Sequence, residues 1–425
     1  MDITLKYGKE RIVLPTDSLK IHGQITANEV KKLDDPAKRL KEVLDSPINS
    51  FPFNDLFSKD DKVAIIISDI TRAWINYPSF LPSLVSQLHS LGINDSQIAF
   101  LTATGTHRNQ TDEEKRCLVG DEIFSRFDIM DHDSKKDEMI SIGTTSLGHQ
   151  VYINSLVSDH KVILTGGIAP HLMSGFGGGR KSILPGIASY STIQQNHLLT
   201  LDPFSEKSSS LIGVGILENN PLHKDMMEAC ALLDPDFLIN VTTNDQGELA
   251  EIFAGHWYDA WLEGTEWIRR HYFIPVVGKT DLVIASCGGY PKDINLYQTT
   301  KTIFNAVKAI NKGGSLILLS ECSDGAGADS FFNWTIPLQE GRLDHELRKD
   351  FTIPGYVFYA SVEAAKKVDV FLVSKMVPQE IKKMGFIPCT SLEDAIKKVQ
   401  KKHGGSPEAL ILPYGGSTVP VIDGG

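Results

Sequence analysis

"KVAIIISDITR", residues 62–72, decides the fold. Its first half is a solid run of Val, Ala and Ile with no polar alternation. A strand wetted on one face alternates, whereas a strand buried on both faces does not. Strands of the second kind belong to parallel sheets covered by helices. The run then ends on Ser68, Asp69, Thr71 and Arg72, where a plain turn would suffice. A helix cap followed by a surface arginine explains those residues about equally well when they are taken alone.

The same pattern recurs outward from this stretch. "QIAFLTA" (97–103), "KVILTGG" (161–167), "FLINVTT" (237–243), "DLVIAS" (281–286), "SLILLSE" (315–321), "VDVFLVS" (368–374) and "ALILP" (409–413) are all short and apolar. Helix-like segments separate them, such as 78–92 and 296–314, the latter stopping on Gly313-Gly314. The alternation predicts an α/β class with mostly parallel sheets. A boundary at "RRHYFIPVVGKTD" (269–281) divides the chain into two α/β domains, about 1–272 and 275–405. The turn-rich tail, 410–425, is expected to return to the first domain.

Composition narrows the function. The chain has 425 residues, 41% hydrophobic and 22% charged, as soluble globular proteins do. A formal charge of -11 argues against a nucleic-acid partner. The five cysteines are scattered and never form a C-x-x-C pair, so neither a disulfide framework nor a zinc knuckle is expected. No apolar run is long enough to span a bilayer, and the N-terminus lacks a signal-peptide core. A cytoplasmic protein with no membrane partner is the expectation.

Open parallel sheets bind ligands outside the carboxyl ends of their strands. There the sequence places Ser68, Asp69, Thr71 and Arg72, then Thr104, Gly105, Thr106, His107 and Arg108, then Pro170, His171 and the loop "SGFGGGRKSILPG" (174–186). His197 follows on a helical segment. Each histidine alone is better explained as a satisfied loop or core residue. Their joint occurrence is what points to chemistry. The loop falls short of a phosphate loop, because Arg180 stands where the G-x-x-x-x-G-K-[ST] pattern needs glycine. It also lacks the third glycine of a dinucleotide fingerprint. Its glycines let backbone approach a ligand, Arg180 can bind an anion, and Lys181 is an amine able to attack a carbonyl-like carbon. A non-catalytic phosphate or nucleotide binder remains the alternative at this point, with a nicotinamide dehydrogenase weaker.

Taken together, "SDITR", "ATGTHR", "PHLMSGFGGGRKSILPGI", the "NH" at 196–197 and "LYQTTK" at 296–301 resemble the nickel-pincer lactate racemase family over nearly the whole chain. The resemblance implies two α/β domains with the active site in the interdomain cleft. It implies a nickel pincer nucleotide, a pyridinium-3,5-bisthiocarboxylic acid mononucleotide carrying nickel, covalently attached at Lys181, with His197 as a nickel ligand. Thr104, Gly105, Gly178 and Gly179 are expected beside this cofactor. His107 and His171 would be the alternating acid and base. Asp69, Arg72, Tyr297, Gln298 and Lys301 would bind the substrate, a small 2-hydroxy acid. Cofactor-synthesis and nickel-insertion proteins would be partners. Leu172, Met173 and Tyr297 suggest lactate or a close relative, Arg180 turned inward would suit malate, and Phe358 is a candidate substrate contact.

Overall fold

A computed structural model describes residues 3–16, 19–327 and 330–422. The chain forms two compact units. Unit A comprises Glu29–Thr200 and Ser210–Arg269, and unit B the described residues of Met1–Asn28, Leu201–Ser209 and Arg270–Gly425.

Unit A is built on β1 (Val63–Ser68), β2 (Ile98–Ala103), β3 (Ile129–Asp131), β4 (Lys161–Gly167), β5 (Phe237–Thr243) and β6 (Leu249–Gly255). They lie in the order β6-β5-β4-β1-β2-β3. All neighbours are parallel except β5 and β6. The solid apolar run of β1 is accounted for by its place in mid-sheet, where Val63 to Ile67 are buried on both faces. Ile65, Ile67, Phe100, Ile163 and Ile239 share one core with Leu81, Leu84, Leu88, Leu118 and Ile123 of the covering helices. From β1 the chain winds one way through β2 to β3, then crosses to β4 and winds the other way. The topological switch point therefore lies between β1 and β4, and its crevice lies beyond their carboxyl ends.

Unit B holds an all-parallel sheet in the order Ile387–Cys389, Asp369–Val373, Ile310–Leu319, Thr280–Ser286, Glu408–Leu412 and Lys20–Gln24. Three expectations differ here. Residues up to Asn28 were expected in the first domain but cluster with unit B, because Lys20–Gln24 pairs with Glu408–Leu412 and Leu5 and Leu14 enter the core beside Leu282 and Ile317. The tail stays in unit B, where Val419–Ile422 pairs with Phe273–Val276, while 423–425 lie outside the described residues. The helix expected to stop at Gly313-Gly314 ends at Ala306, and the two glycines lie inside the strand Ile310–Leu319. Pairing with Thr280–Ser286 claims that segment for the sheet.

Candidate active site

The switch point of unit A gathers the chemistry. Beyond β1 the chain turns into a 3-10 stretch, Ile70–Ile75, capped by Asp69, whose Oδ1 accepts from the Thr71 N–H at 3.2 Å. Asp69 is 5% exposed. Its Oδ2 accepts from His107 Nδ1 at 2.5 Å, from the loop beyond the neighbouring β2. Burial opposes ionisation of Asp69, but His107, the Thr71 hydroxyl and the Arg72 charge outweigh it and hold the carboxyl below its ordinary value. Asp69, expected on the substrate, is bonded to His107. With Nδ1–H donated to a carboxylate, the neutral imidazole carries its lone pair on Nε2, the form of a general base.

Beyond β4 the chain makes a small hairpin, Pro170–His171 against Gly175–Phe176, then a 3-10 turn, Gly179–Ser182. His171 Nδ1 accepts from the Met173 and Ser174 amides, both at 3.2 Å. The proton of the neutral ring is therefore on Nε2, and Nε2 stands 3.0 Å from Lys181 Nζ. That hydrogen bond requires Lys181 to accept, as an uncharged amine. Electrostatics agree with it. Burial first, then the charges of Arg180 and Arg72, push Lys181 well below its ordinary value. Burial, then the charges of Arg72 and Arg180, do the same to His171. In their neutral forms the two histidines are thus opposite tautomers, one with a lone pair and one with a proton on Nε2.

His197 is 1% exposed, on the helix Tyr190–Leu198. Its Nδ1–H donates to the Ile193 carbonyl at 3.0 Å, which puts the lone pair on Nε2. Burial lowers its pKa to about 3, so it is neutral, as a metal-ligating imidazole must be.

The glycine loop is pinned to the protein. Arg180 is fully buried. Its Nη1 donates to the Phe176 carbonyl at 2.9 Å and its Nη2 to that of Ser174 at 2.7 Å, with the guanidinium 4.1 Å from the centre of the Trp261 ring. Both of its terminal nitrogens are thus committed to the loop's own carbonyls. The Gly177 amide donates to the Ala169 carbonyl at 2.8 Å and the Gly179 amide to Asn240 Oδ1 at 2.8 Å. Gly178 and Gly179 have φ of 72° and 55°, and a Cβ on either would meet Asn240 or Trp261 at 2.6 Å. Those glycines make room for protein, and these amides are spent on the fold instead of a phosphate. The same holds beyond β2, where the Thr104 hydroxyl donates to the His132 carbonyl and the Gly105 amide to that of Gly186. In unit B, Tyr297, Gln298 and Lys301 stand in the first two turns of the helix Leu296–Ala306, and Lys301 Nζ donates to Gln298 Oε1 at 2.7 Å. Phe358 is fully buried against Phe331, with ring centres 5.4 Å apart, and is core rather than a substrate contact. Asn240 and Trp261, which lock the loop, were not singled out from the sequence. The only signal for Asn240 was a lone amide inside the apolar run of β5.

A nucleophilic amine, a base, a proton donor and the Arg72 guanidinium, bonded only to the neighbouring Thr71 among the described residues, are the equipment of an enzyme acting on a small molecule. Comparison with known proteins agrees. Residues 7–208 match the model of the lactate racemase N-terminal domain, and residues 277–421 that of the lactate racemase C-terminal domain. A lactate racemase of Thermoanaerobacterium thermosaccharolyticum is 30% identical, over 98% of this chain and 99% of its own. One from Lactiplantibacillus plantarum is 31% identical, over 97% of this chain and 98% of its own. The solved lactate racemase apoprotein of T. thermosaccharolyticum superposes with a TM-score of 0.89 at 29% identity, covering 99% of this chain and 100% of that one. A Thermotoga maritima protein, 17% identical, shares the fold at a TM-score of 0.63, over 92% of this chain and 100% of its own. The chain belongs to the lactate racemase family, and it is an isomerase.

Proposed function

We propose that the chain racemises a small 2-hydroxy acid, lactate or a close relative, with a nickel pincer nucleotide joined to Lys181. The observation that carries this is His171 hydrogen-bonded to a neutral lysine amine, with His107 held by Asp69 at the end of the neighbouring strand. The residues fit such a cofactor. Lys181 Nζ has a nucleophilic lone pair, and His197 offers nickel a lone pair on Nε2 without a charge. Among the described residues no group of three or more His, Cys, Asp or Glu could hold a metal, so the nucleotide would supply nickel's other donors. When bound, it supplies an acceptor for the hydride on C2 of the substrate.

The chain's own side chains do the rest. Arg72, whose guanidinium charge bears on His171 and Lys181, pairs with the substrate carboxylate and fixes that end. His107 Nε2 takes the hydroxyl proton from one enantiomer, and His171 Nε2 serves the other and returns a proton to the oxygen. Asp69 keeps the His107 ring turned for this task. Arg180, the residue that suited a second carboxylate as in malate, is committed to the loop, which favours the smaller acid. Proteins that make the nucleotide and insert nickel would be partners. No helix among the described residues is long and apolar enough to cross a membrane.

The test is interconversion of D- and L-lactate by protein loaded with cofactor. His107→Ala and His171→Ala should each lower the rate by about 10²- to 10⁴-fold. Lys181→Ala should fail to gain the cofactor mass. Full activity of Lys181→Ala would defeat the covalent reading.

A further inference from the structure

Asp225 is a buried carboxyl that no part of the reaction uses. It lies on the helix Pro221–Leu233, 1% exposed, and among the described residues no lysine or arginine pairs with it. Neutral side chains and an imidazole from two other elements converge on it instead. Thr145 Oγ1 donates to Oδ1 at 2.7 Å, and His149 Nδ1 stands 3.1 Å from both oxygens. Both flank the turn of the hairpin Met139–Thr144 and Gln150–Asn154. Asn196 Nδ2 donates to Oδ2 at 2.9 Å and to the Leu222 carbonyl at 3.2 Å. Asn196 is the residue before His197.

Geometry turns that anchor into a pointing device. Successive side chains on a helix are rotated by about 100°, so clamping Asn196 sets where His197 emerges. The ring is then held to its own helix by Nδ1–H on Ile193. Rotation of the helix is thus the remaining freedom of Nε2. At a radius of roughly 6 Å a rotation of about 10° moves that atom by about 1 Å. Metal–nitrogen bonds tolerate about 0.2 Å. The other end of the helix is tied to the same hairpin, where Thr192 Oγ1 donates to the Gln150 carbonyl at 3.0 Å and accepts from the Tyr152 amide at 3.1 Å.

We propose that Asp225 is a positioning residue for His197, holding the helix Tyr190–Leu198 through Asn196 at the rotation that aims Nε2 into the site. The proposal rests on the reading of His197 as the nickel ligand. Four variants of the cofactor-loaded protein test it: Asp225→Ala, Asn196→Ala, His197→Ala and Ser146→Ala. The last weakens a separate tie between the same turn and the same helix, removing the bond from Ser146 Oγ to Glu228 Oε1 at 2.7 Å and keeping that from the Ser146 amide to Oε2. The readouts are nickel per chain against time after desalting, the visible absorption spectrum, and the melting temperature. Loss of an outer-shell partner costs about 10- to 100-fold in metal affinity. Asp225→Ala and Asn196→Ala should therefore release nickel at least about tenfold faster than the parent, with a shifted spectrum, and Ser146→Ala should do neither. Should Asp225→Ala fail to fold, Asn196→Ala decides alone, since it leaves the Thr145 and His149 contacts to Asp225 in place. Parental retention and spectrum in Asn196→Ala overturn the inference while leaving the His197 reading intact. Parental retention in His197→Ala overturns that reading, and the inference with it.

Discussion

Lowering the pH from 7 to 5 should destabilise unit A well before its carboxylates titrate. Four of its histidines have pKa values pushed down, chiefly by burial: His132, His171, His197 and His223. A histidine that cannot charge in the folded state binds a proton only on unfolding. Its stabilising contribution is therefore complete above its ordinary value of about 6.5 and is lost as pH falls below it. For His197 and His223, both pushed to about 3, the unfolded chain at pH 5 is almost fully protonated and the folded chain is not. Each then costs about 2 kcal/mol at pH 5, from 1.5 pH units at about 1.4 kcal/mol per unit. Together they remove about 4 kcal/mol, and His171 adds to it in the same direction. Carboxyls held below their ordinary value, such as Asp69, lose their contribution only as pH falls through the folded value, outside this window. The assay is urea unfolding of the apoprotein followed by tryptophan fluorescence, since Trp74, Trp257, Trp261 and Trp267 all lie in unit A. His223→Phe isolates one contribution. His223 packs on Trp261 with ring centres 5.5 Å apart, and its Nδ1 has no hydrogen-bond partner among the described residues, so an apolar ring fits there. That variant should lose about 2 kcal/mol less than the parent between pH 7 and 5. Equal losses in the two proteins would refute the argument, because His223 would then be free to charge in the folded state.

Three further outcomes follow from the same contacts. Asp69→Asn should leave the fold intact but lower kcat by about 10²- to 10⁴-fold with little change in KM, because the amide no longer selects the His107 tautomer with its lone pair on Nε2. Arg180→Met should cost about 3 kcal/mol in urea unfolding, since it strands the Ser174 and Phe176 carbonyls, and should leave the preference among 2-hydroxy acids unchanged. Gly179→Ala should lower the melting temperature by several degrees through about 2 kcal/mol of strain, its Cβ meeting Trp261 at 2.6 Å on a backbone of positive φ.

The sheets were legible because a strand buried on both faces announces itself as an unbroken apolar run, as β1 does. The gathering of the candidate residues was legible for a related reason. Strand ends that carry acid, base and hydroxyl groups are conspicuous against apolar runs, and β4, β1 and β2 proved to be neighbours. Roles within the site were less so. Asp69 and His107 are 38 residues apart, and only the pairing of β1 with β2 brings them together. Arg180 reads as an anion binder because arginine usually seeks anions. Here its charge is held by carbonyls and an indole face, partners that no side-chain pattern records. Glycine was read as space for a ligand, whereas at 178 and 179 the space is filled by Asn240 and Trp261. The first 28 residues were misassigned because a strand's partner is set by sheet order, not by nearness in sequence.

One rule accounts for what happens at both sheets. A parallel sheet leaves a crevice at its switch point, where the ends of adjacent strands diverge. In unit A that crevice is bordered by titratable groups. In unit B the corresponding place lies between Thr280–Ser286 and Glu408–Leu412, and the chain fills it with its own N-terminal hairpin. The Gly8 amide donates to the buried Asp293 Oδ2 at 2.6 Å, the Tyr290 amide donates back to the Gly8 carbonyl at 2.8 Å, and Ser286 Oγ donates to the Lys6 carbonyl at 2.5 Å. Gly8 has a φ of 55°, and a Cβ there would run into the Glu321 carboxylate. The fit is that of a plug, with backbone groups of the hairpin bonded to Ser286 at a strand end and to Tyr290 and Asp293 in the loop beyond it. An early strand pair that alternates apolar and polar residues, unremarkable in the sequence, is what closes one crevice and leaves unit A as the place where the acid, the base and the amine collect.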